Sequence, residues 1–288
     1  MTLLPLDFVD SQQTAELRED EYWDGDRRLI YCTTCHTPRQ QYLVIAGNRV
    51  RLRCMCACQE KASEGMKKDR EHWKFLNRVA QNRAVGLTDP ELQRCTFEND
   101  LGYNKKQMDI ARRYVQNWED FRENSVGLLL WGGVGTGKSY IAGCIANALL
   151  DKGVPVMMTN FPRVLNKLTD MYSGDRTAYI DSLKSFQLLV VDDLGVERNT
   201  EFVIEQVYHI VDSRYRSHLP LIVTTNLSIK ETKSPEDLAK KRIYDRILER
   251  CAAVQVNDQN IREINKRINM EKAAKLLIGG ENEETEEI

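Results

Sequence analysis

The sequence predicts an α/β fold in which a parallel sheet carries a phosphate-binding loop, preceded by a small cysteine-bearing module and a connecting helix. Three observations predict it. Gly132-Gly133-Val134-Gly135-Thr136-Gly137-Lys138-Ser139 fits G-x-x-x-x-G-K-[ST] and lies between an apolar run (127–131) and a helix-forming run (Tyr140 to Leu150). Apolar segments alternate with helical patterns from residue 127 to 225, as in a sheet covered on both faces. Five of the eight cysteines fall between residues 32 and 58, ahead of that region.

The elements follow in chain order. Cys32-Thr33-Thr34-Cys35 is a C-x-x-C half-site. Two β-prone runs, 41–45 and 49–53, flank Ala46-Gly47-Asn48 and read as a hairpin. That hairpin returns Cys54-Met55-Cys56-Ala57-Cys58 onto the first pair, which closes a small zinc site. Cys32, Cys35, Cys56 and Cys58 are the expected Zn²⁺ ligands, with Cys54 as the alternate and His36 a weaker candidate. A module of this size buries too little surface to fold without its metal. The charged stretch from Glu60 to Arg83 has Met66, Trp73, Leu76 and Val79 at near-helical spacing and reads as a connecting helix, ended by Gly86 to Pro90. Lys105 to Glu123 reads as one amphipathic helix.

The sheet region reads as strand 127–131, helix 139–151, strand 154–158, helices near 161–172 and 176–185, strand 187–192, helix 200–217 and strand 219–225. A basic helix (240–250) and a short strand (253–256) come next, and Asp258 is the expected N-cap of a last basic helix containing Arg262. The resulting organisation is an acidic segment (1–30), a zinc module (31–60), a helical linker (61–95), a nucleotide-binding domain (96–278) and an acidic, disordered tail (279–288).

The chemistry resides at strand ends. The glycines of the loop let backbone N–H groups converge on one phosphate, helped by the helix N-terminus. Lys138 adds a full charge for the β- and γ-phosphates and is expected to face solvent in the empty loop; Ser139 supplies a hydroxyl to Mg²⁺. Leu188 to Val191 ends in Asp192-Asp193, where Asp192 is the second expected Mg²⁺ contact and Asp193 the group that orients or deprotonates the attacking water. Leu219 to Thr225 delivers Asn226, a neutral amide for the γ-phosphate. No N-K-x-D segment for guanine is present; Asn265-Lys266-Arg267-Ile268 lacks the acid, so ATP is the expected nucleotide.

Composition narrows the class. No stretch of 18 apolar residues occurs and the first residues lack the basic and apolar parts of a signal peptide, so a soluble, cytoplasmic protein with no membrane contact is expected. Clustered cysteines in such a compartment point to metal rather than disulfides. The net charge of −2 conceals −5 on residues 1–28, −5 on the tail and +8 on the body between them, which leaves room for a polyanion.

Together these residues resemble the DnaC-like bacterial helicase loaders, in the zinc-bearing form common in Gram-positive bacteria, their phages and mobile elements. The resemblance runs from about Cys32 to Val256. It is carried by the loop with its preceding strand, Asp192-Asp193-Leu194-Gly195 with Glu197-Arg198, Arg214-Tyr215, Thr224-Thr225-Asn226-Leu227 and Arg242-Ile243-Tyr244-Asp245-Arg246. It implies an AAA+ domain with Asn226 as sensor 1. Arg246 is then the arginine finger reaching a neighbouring subunit's ATP, and Arg242 the second choice. It further implies a homo-oligomer formed through the ATP site, contact with single-stranded DNA, and a DnaB-type replicative helicase as partner, met by residues 1–85. Most AAA+ ATPases end the acidic strand in Asp-Glu. Asp-Asp here, one methylene shorter at Asp193, suits a slow, partner-triggered ATPase. A transposition helper of the IstB type shares most of these motifs, and a zinc-containing nucleic-acid adaptor with a vestigial ATP site is the remaining alternative.

Overall fold

In a computed structural model of the chain, residues 17–45, 47–195, 200–235, 237–256 and 260–278 are described. The chain divides into two units, Met1–Phe75 and Leu76–Ile288.

The first unit contains two antiparallel hairpins. One pairs β1 (Glu21–Asp24) with β2 (Leu29–Cys32), the other β3 (Gln40–Ile45) with β4 (Asn48–Arg53). The second matches its sequence signal, with Gly47 at φ +81° in the turn. The first was unexpected, because residues up to 30 read as an acidic segment. That expectation is corrected for residues 21–30, while residues 1–16 lie outside the described part. An acid makes this hairpin possible. Glu21 is buried and accepts hydrogen bonds from the Arg18 N–H (3.2 Å), from Arg39 (3.2 Å) and from both terminal nitrogens of Arg53 (3.1 Å each). Burial alone would raise its pKa, but the Arg18 N–H and the two guanidiniums outweigh it, so the carboxyl stays below the usual glutamate range. The only buried apolar residues described in this unit are Ile30, Tyr31, Cys32 and Cys56. So small a core cannot offset chain entropy without a further staple.

α1 (Ala57–Gly86) begins in this unit and ends in the second. There, α2 (Pro90–Gln93) starts at an Asp89 cap, and α3 (Lys105–Gln116) and α4 (Trp118–Glu123) follow. The single helix expected over 105–123 breaks at Asn117, whose side chain donates to the Arg113 carbonyl (2.9 Å) in competition with the helical ladder. The break turns Trp118 inward, edge-on to Tyr114 at 6.0 Å.

The remaining elements are β5 (Gly127–Trp131), α5 (Lys138–Asp151), β6 (Val156–Asn160), α6 (Phe161–Thr169), α7 (Ser173–Ser182), β7 (Leu188–Leu194), α8 (Glu201–Arg216), β8 (Leu221–Thr225), α9 (Ile229–Lys233), α10 (Leu238–Arg250), β9 (Cys251–Gln255) and α11 (Ile261–Ile278). The five strands from β5 on form one parallel sheet in the order β6-β7-β8-β5-β9. Leu128 and Leu130 pack on one face with Ile145 and Leu149, and Leu129 packs on the other with Phe161 and Ile210. This two-sided burial explains why the strands read as continuous apolar runs. β6 starts two residues later than expected because Pro155 has no N–H to pair; its carbonyl instead accepts from Gln187 (2.8 Å).

Arg214, from the Arg214-Tyr215 motif, is fully buried on α8. Its guanidinium donates to four backbone carbonyls, those of Leu183, Phe186, Gln187 and Pro220, at 2.6–3.3 Å. It clamps the entrance of β7 to that of β8. No described helix is long and apolar enough to cross a membrane.

Candidate functional site

The loop between β5 and α5 is shaped by backbone that only glycine adopts easily. Gly132 sits at φ +153° with its α-carbon so placed that a Cβ would lie 2.5 Å from the Val256 carbonyl oxygen, and Gly137 enters α5 at φ +96°. Outside groups brace the loop: the Thr136 hydroxyl donates to the Gly133 carbonyl (2.9 Å), and the Asn104 amide to the Thr136 carbonyl (2.9 Å).

Lys138 does not face solvent, contrary to expectation. Only 5% exposed, its ammonium donates to the carbonyls of Gly132 (3.0 Å) and Gly133 (2.7 Å) and to Asn226 Oδ1 (2.8 Å). A buried ammonium needs acceptors, and the curled loop supplies them. Burial lowers its pKa below the ordinary lysine value, against the opposing pull of Asp193 and Asp192, and Arg262 lowers it further. Asn226, from the end of β8, therefore lies beside Lys138.

The strand order adds what the sequence left open. β8 lies between β5 and β7, so Asp192 reaches the loop across the end of β8. The Thr224 hydroxyl of β8 donates to its carboxylate, and the Ser139 hydroxyl of α5 lies near enough to favour its charged form. Burial raises the Asp192 pKa, and the two hydroxyls partly offset that. A carboxylate and a nearby hydroxyl form a hard-oxygen donor pair that fits Mg²⁺. The register of β7 against β8 shifts between Val191 and Leu194, and in that bulge Asp193 adopts φ +59° with its N–H bonded to Thr224 Oγ1 (2.9 Å). Bulges re-aim side chains next to active sites, and this one sends successive residues to different tasks: Asp192 to Ser139, Asp193 to the cleft wall.

The cleft has a volume of about 360 Å³. Lys138, Ser139, Asp193 and Asn226 line its polar end. The rest of its wall includes Leu101, Tyr103 and Met108 from the segment around the start of α3, and Ile261, Arg262 and Asn265 from α11. Sequence reasoning missed both contributions. The 99–104 segment has no motif. Arg262 read only as one of several cations on a basic helix, and nothing local places that helix at the loop. The attachment is a backbone bond from Ile261 N–H to the Gly135 carbonyl (2.9 Å). Asn260 Oδ1 accepts from Glu263 N–H (3.3 Å) at the start of α11. The expected cap, Asp258, lies outside the described residues, as do Glu197, Arg198 and the tail.

Arg246 does not line this cleft. On α10, it donates to Asp212 Oδ1 of α8 (2.9 Å), to the Tyr208 hydroxyl (2.9 Å) and to the Arg242 carbonyl (3.1 Å), and lies 4.8 Å over the Tyr208 ring. Arg242, one turn earlier, is exposed.

In the first unit the sulfur atoms of Cys32, Cys35, Cys56 and Cys58 lie within 4.8 Å of one another. Cys58 Sγ is 3.6 Å from Cys32 Sγ and 3.2 Å from Cys56 Sγ. A tetrahedron of Zn–S bonds near 2.3 Å sets sulfurs roughly 3.8 Å apart, so the cluster fits zinc. Cys54 points away, toward the Pro38 carbonyl (3.5 Å), and His36 packs on Tyr22. The Thr37 hydroxyl draws the Cys35 thiol down to about 5, whereas Cys56 pushes Cys58 up to about 12. Four thiolates cannot share this space without a cation. Arg39, 4% exposed, adds a guanidinium N–H 3.5 Å from Cys32 Sγ.

Comparison with known proteins follows this geometry. Residues 68–269 match the family described as IstB-like ATP binding protein. Over 161 residues the chain is 29% identical to the replicative helicase loader DnaC of Escherichia coli (strain K12), covering 55% of this chain and 64% of that protein. Over 176 residues it is 29% identical to the uncharacterized protein YqaM of Bacillus subtilis (strain 168), covering 56% and 55%. The chain thus spans less than two thirds of the length of these curated relatives. Among solved structures, that of DnaI superposes with a TM-score of 0.50 at 25% identity, covering 60% of this chain and 96% of that one.

Proposed function

Because the chain belongs to the IstB-like ATP binding protein family, whose profile spans residues 68–269, we propose that it is an ATPase that delivers a hexameric replicative helicase to DNA. The observation that carries this reading is the convergence of Lys138, Ser139, Asp193 and Asn226 on one cleft next to the glycine loop, with Asp192 behind them on Thr224.

In this reading ATP enters with its phosphates on the loop N–H groups. Lys138 then exchanges its carbonyl partners for phosphate oxygens, with Asn226 still beside it. Ser139 and Asp192 would hold Mg²⁺, which neutralises phosphate charge when bound. Asp193, fixed by the bulge, orients water at the γ-phosphate, and Arg262 adds a second cation at the cleft. The apolar base sits against Leu101, Tyr103 and Met108. Hydrolysis is slow in the lone chain because the finger comes from a neighbour: Arg246 is turned to Asp212, away from its own cleft, with exposed Arg242 the second choice. Assembly through the ATP site then controls turnover.

The first unit is proposed to hold one Zn²⁺ through Cys32, Cys35, Cys56 and Cys58 and to contact the helicase. Leu43, Ile45, Val50 and Leu52 share one face of the β3–β4 hairpin and remain exposed, as a docking surface requires. The DnaC name of the relatives favours loading over a transposition helper, and the cysteine cluster lies outside the residues matched to the IstB-like family. The test is capture of a DnaB-type hexamer by the tagged chain, followed by unwinding of a forked substrate. ATP-dependent stimulation of unwinding is expected; nucleotide binding without helicase capture would refute the loader role.

A further inference from the structure

The β3–β4 hairpin has no buried position in β3, and its two faces differ chemically. Cross-strand pairing of Tyr42 with Arg51 and Val44 with Arg49 puts these residues on the face opposite the apolar one. The Arg49 guanidinium lies 4.2 Å over the Tyr42 ring, and that of Arg51 lies 5.6 Å over Trp23 of β1. The Tyr42 hydroxyl and Arg51 both donate to the Arg28 carbonyl, at 3.1 and 3.5 Å, which draws the β1–β2 turn and exposed Arg28 to the same edge. Trp23 is 46% exposed, an indole left partly in water.

Of the neighbouring acids, Asp26 is exposed in the β1–β2 turn, and two others are engaged elsewhere. Glu21 is buried among Arg39 and Arg53, and Asp24 Oδ1 accepts the N–H groups of Asp26 (3.0 Å) and Arg27 (3.1 Å) in its own turn. The edge presents the exposed guanidiniums of Arg28 and Arg49, with Arg51 engaged beneath them, and two ring faces along a ribbon roughly 20 Å long.

We infer that this edge binds a single polynucleotide strand, with bases stacked on Trp23 and on the Tyr42–Arg49 pair and phosphates held by Arg28 and Arg49. Charge selects a polyanion, and exposed ring faces select unpaired bases, since a duplex keeps its base faces covered. An acidic protein would satisfy the arginines but leave the rings without flat partners. The inference deepens the loader reading, which needs a strand to be held but assigns no residues of the first unit to it. Its binding step requires neither nucleotide nor helicase.

The experiment uses the full zinc-loaded chain, without nucleotide, and a fluorescein-labelled 20-mer of thymidylate followed by anisotropy. The parent is expected to bind with an affinity that falls as salt rises. Arg49→Ala should flatten the logarithmic salt slope by about 0.7, as for one lost phosphate contact. Trp23→Ala should weaken binding by about tenfold, as for one lost stacking partner. Arg49→Lys should keep the slope, and a duplex of equal length should bind more weakly than the single strand. Zinc content, measured on each variant, separates loss of the edge from loss of the fold. Photo-crosslinking to 5-iodouridine in the strand should label peptides containing Trp23 or Tyr42. The inference is overturned if the parent does not bind the 20-mer, if variants with full zinc bind like the parent, if the duplex is preferred, or if crosslinks map only to residues 76–278. Binding that persists after helicase capture has failed would sink the loader role alone.

Discussion

Arg246→Ala separates a structural role from a catalytic one by magnitude. Within the subunit this side chain makes one partly buried ion pair with Asp212, a hydrogen bond with Tyr208 and an exposed one with the Arg242 carbonyl, at 25% and 14% side-chain exposure for the charged partners. Asp212 keeps a second partner, since Arg216 donates to its other oxygen at 2.9 Å. Truncation therefore leaves no stranded charge, and the loss of stability is about 1–2 kcal/mol. A finger acting in trans on the γ-phosphoryl group is worth about 10³–10⁵ in rate, or roughly 4–7 kcal/mol of barrier. The assay is steady-state ATP turnover at saturating nucleotide in the assembled protein, with affinity for a fluorescent ATP analogue measured in parallel. Affinity should stay within about threefold of the parent, because the nucleotide is held by its own subunit's loop. Asp212→Asn and Tyr208→Phe, which disturb the same contacts, should lower the melting temperature comparably and leave turnover within an order of magnitude. Mixing Arg246→Ala with Lys138→Ala should restore activity, since the first binds ATP and lacks the arginine while the second offers one. If Arg246→Ala loses only as much turnover as Asp212→Asn, or if co-assembled mixtures stay inactive, the trans role is refuted and Arg242 is the residue to test.

Three further outcomes follow. Lys138→Ala should weaken ATP-analogue binding at least about 100-fold through loss of a charge-assisted contact worth about 3 kcal/mol; because the ammonium also holds the Gly132 and Gly133 carbonyls, hydrogen exchange in the empty loop should rise as well, and analogue affinity equal to the parent's would contradict the site. Elemental analysis should find one Zn²⁺ per chain, retained in Cys54→Ser and lost in Cys58→Ser and Cys32→Ser, with nucleotide affinity unchanged in all three; loss of metal on changing Cys54 would exchange the ligand assignment. Arg214→Met should lower urea stability of the second unit by about 3–5 kcal/mol, as four carbonyls lose a charged donor, and a midpoint shift equivalent to under 1 kcal/mol would mean that the carbonyls find other partners.

Much of the candidate site was legible in the chain because it is written locally. The glycine loop, the two aspartates and the asparagine each terminate an apolar run, and an apolar run long enough to be a buried strand announces both its class and its end. The C-x-x-C and the pair Cys56 and Cys58 sit on either side of a hairpin whose turn has its own signature, so their meeting follows from local rules. Helix breaks such as Asn117 and strand starts such as the one after Pro155 were misjudged by residues, where a side chain or a missing N–H altered one hydrogen bond.

What tertiary structure alone decided depends on neighbours distant in sequence. The insertion of β8 between β5 and β7 puts the Thr224 hydroxyl on the Asp192 carboxylate, and strand order in a parallel sheet is set by crossover packing that no strand encodes by itself. Burial of Glu21 required guanidiniums from Arg39 and Arg53, so residues that read only as part of an acidic segment form a hairpin. Lys138 found carbonyl partners only because the loop curls around it. Arg262 reaches the cleft through one backbone bond from Ile261 to Gly135, joining segments more than a hundred residues apart. In each case the sequence names a group and its intrinsic chemistry, while its pKa, exposure and partner are properties of the low-dielectric neighbourhood that only the folded chain assembles.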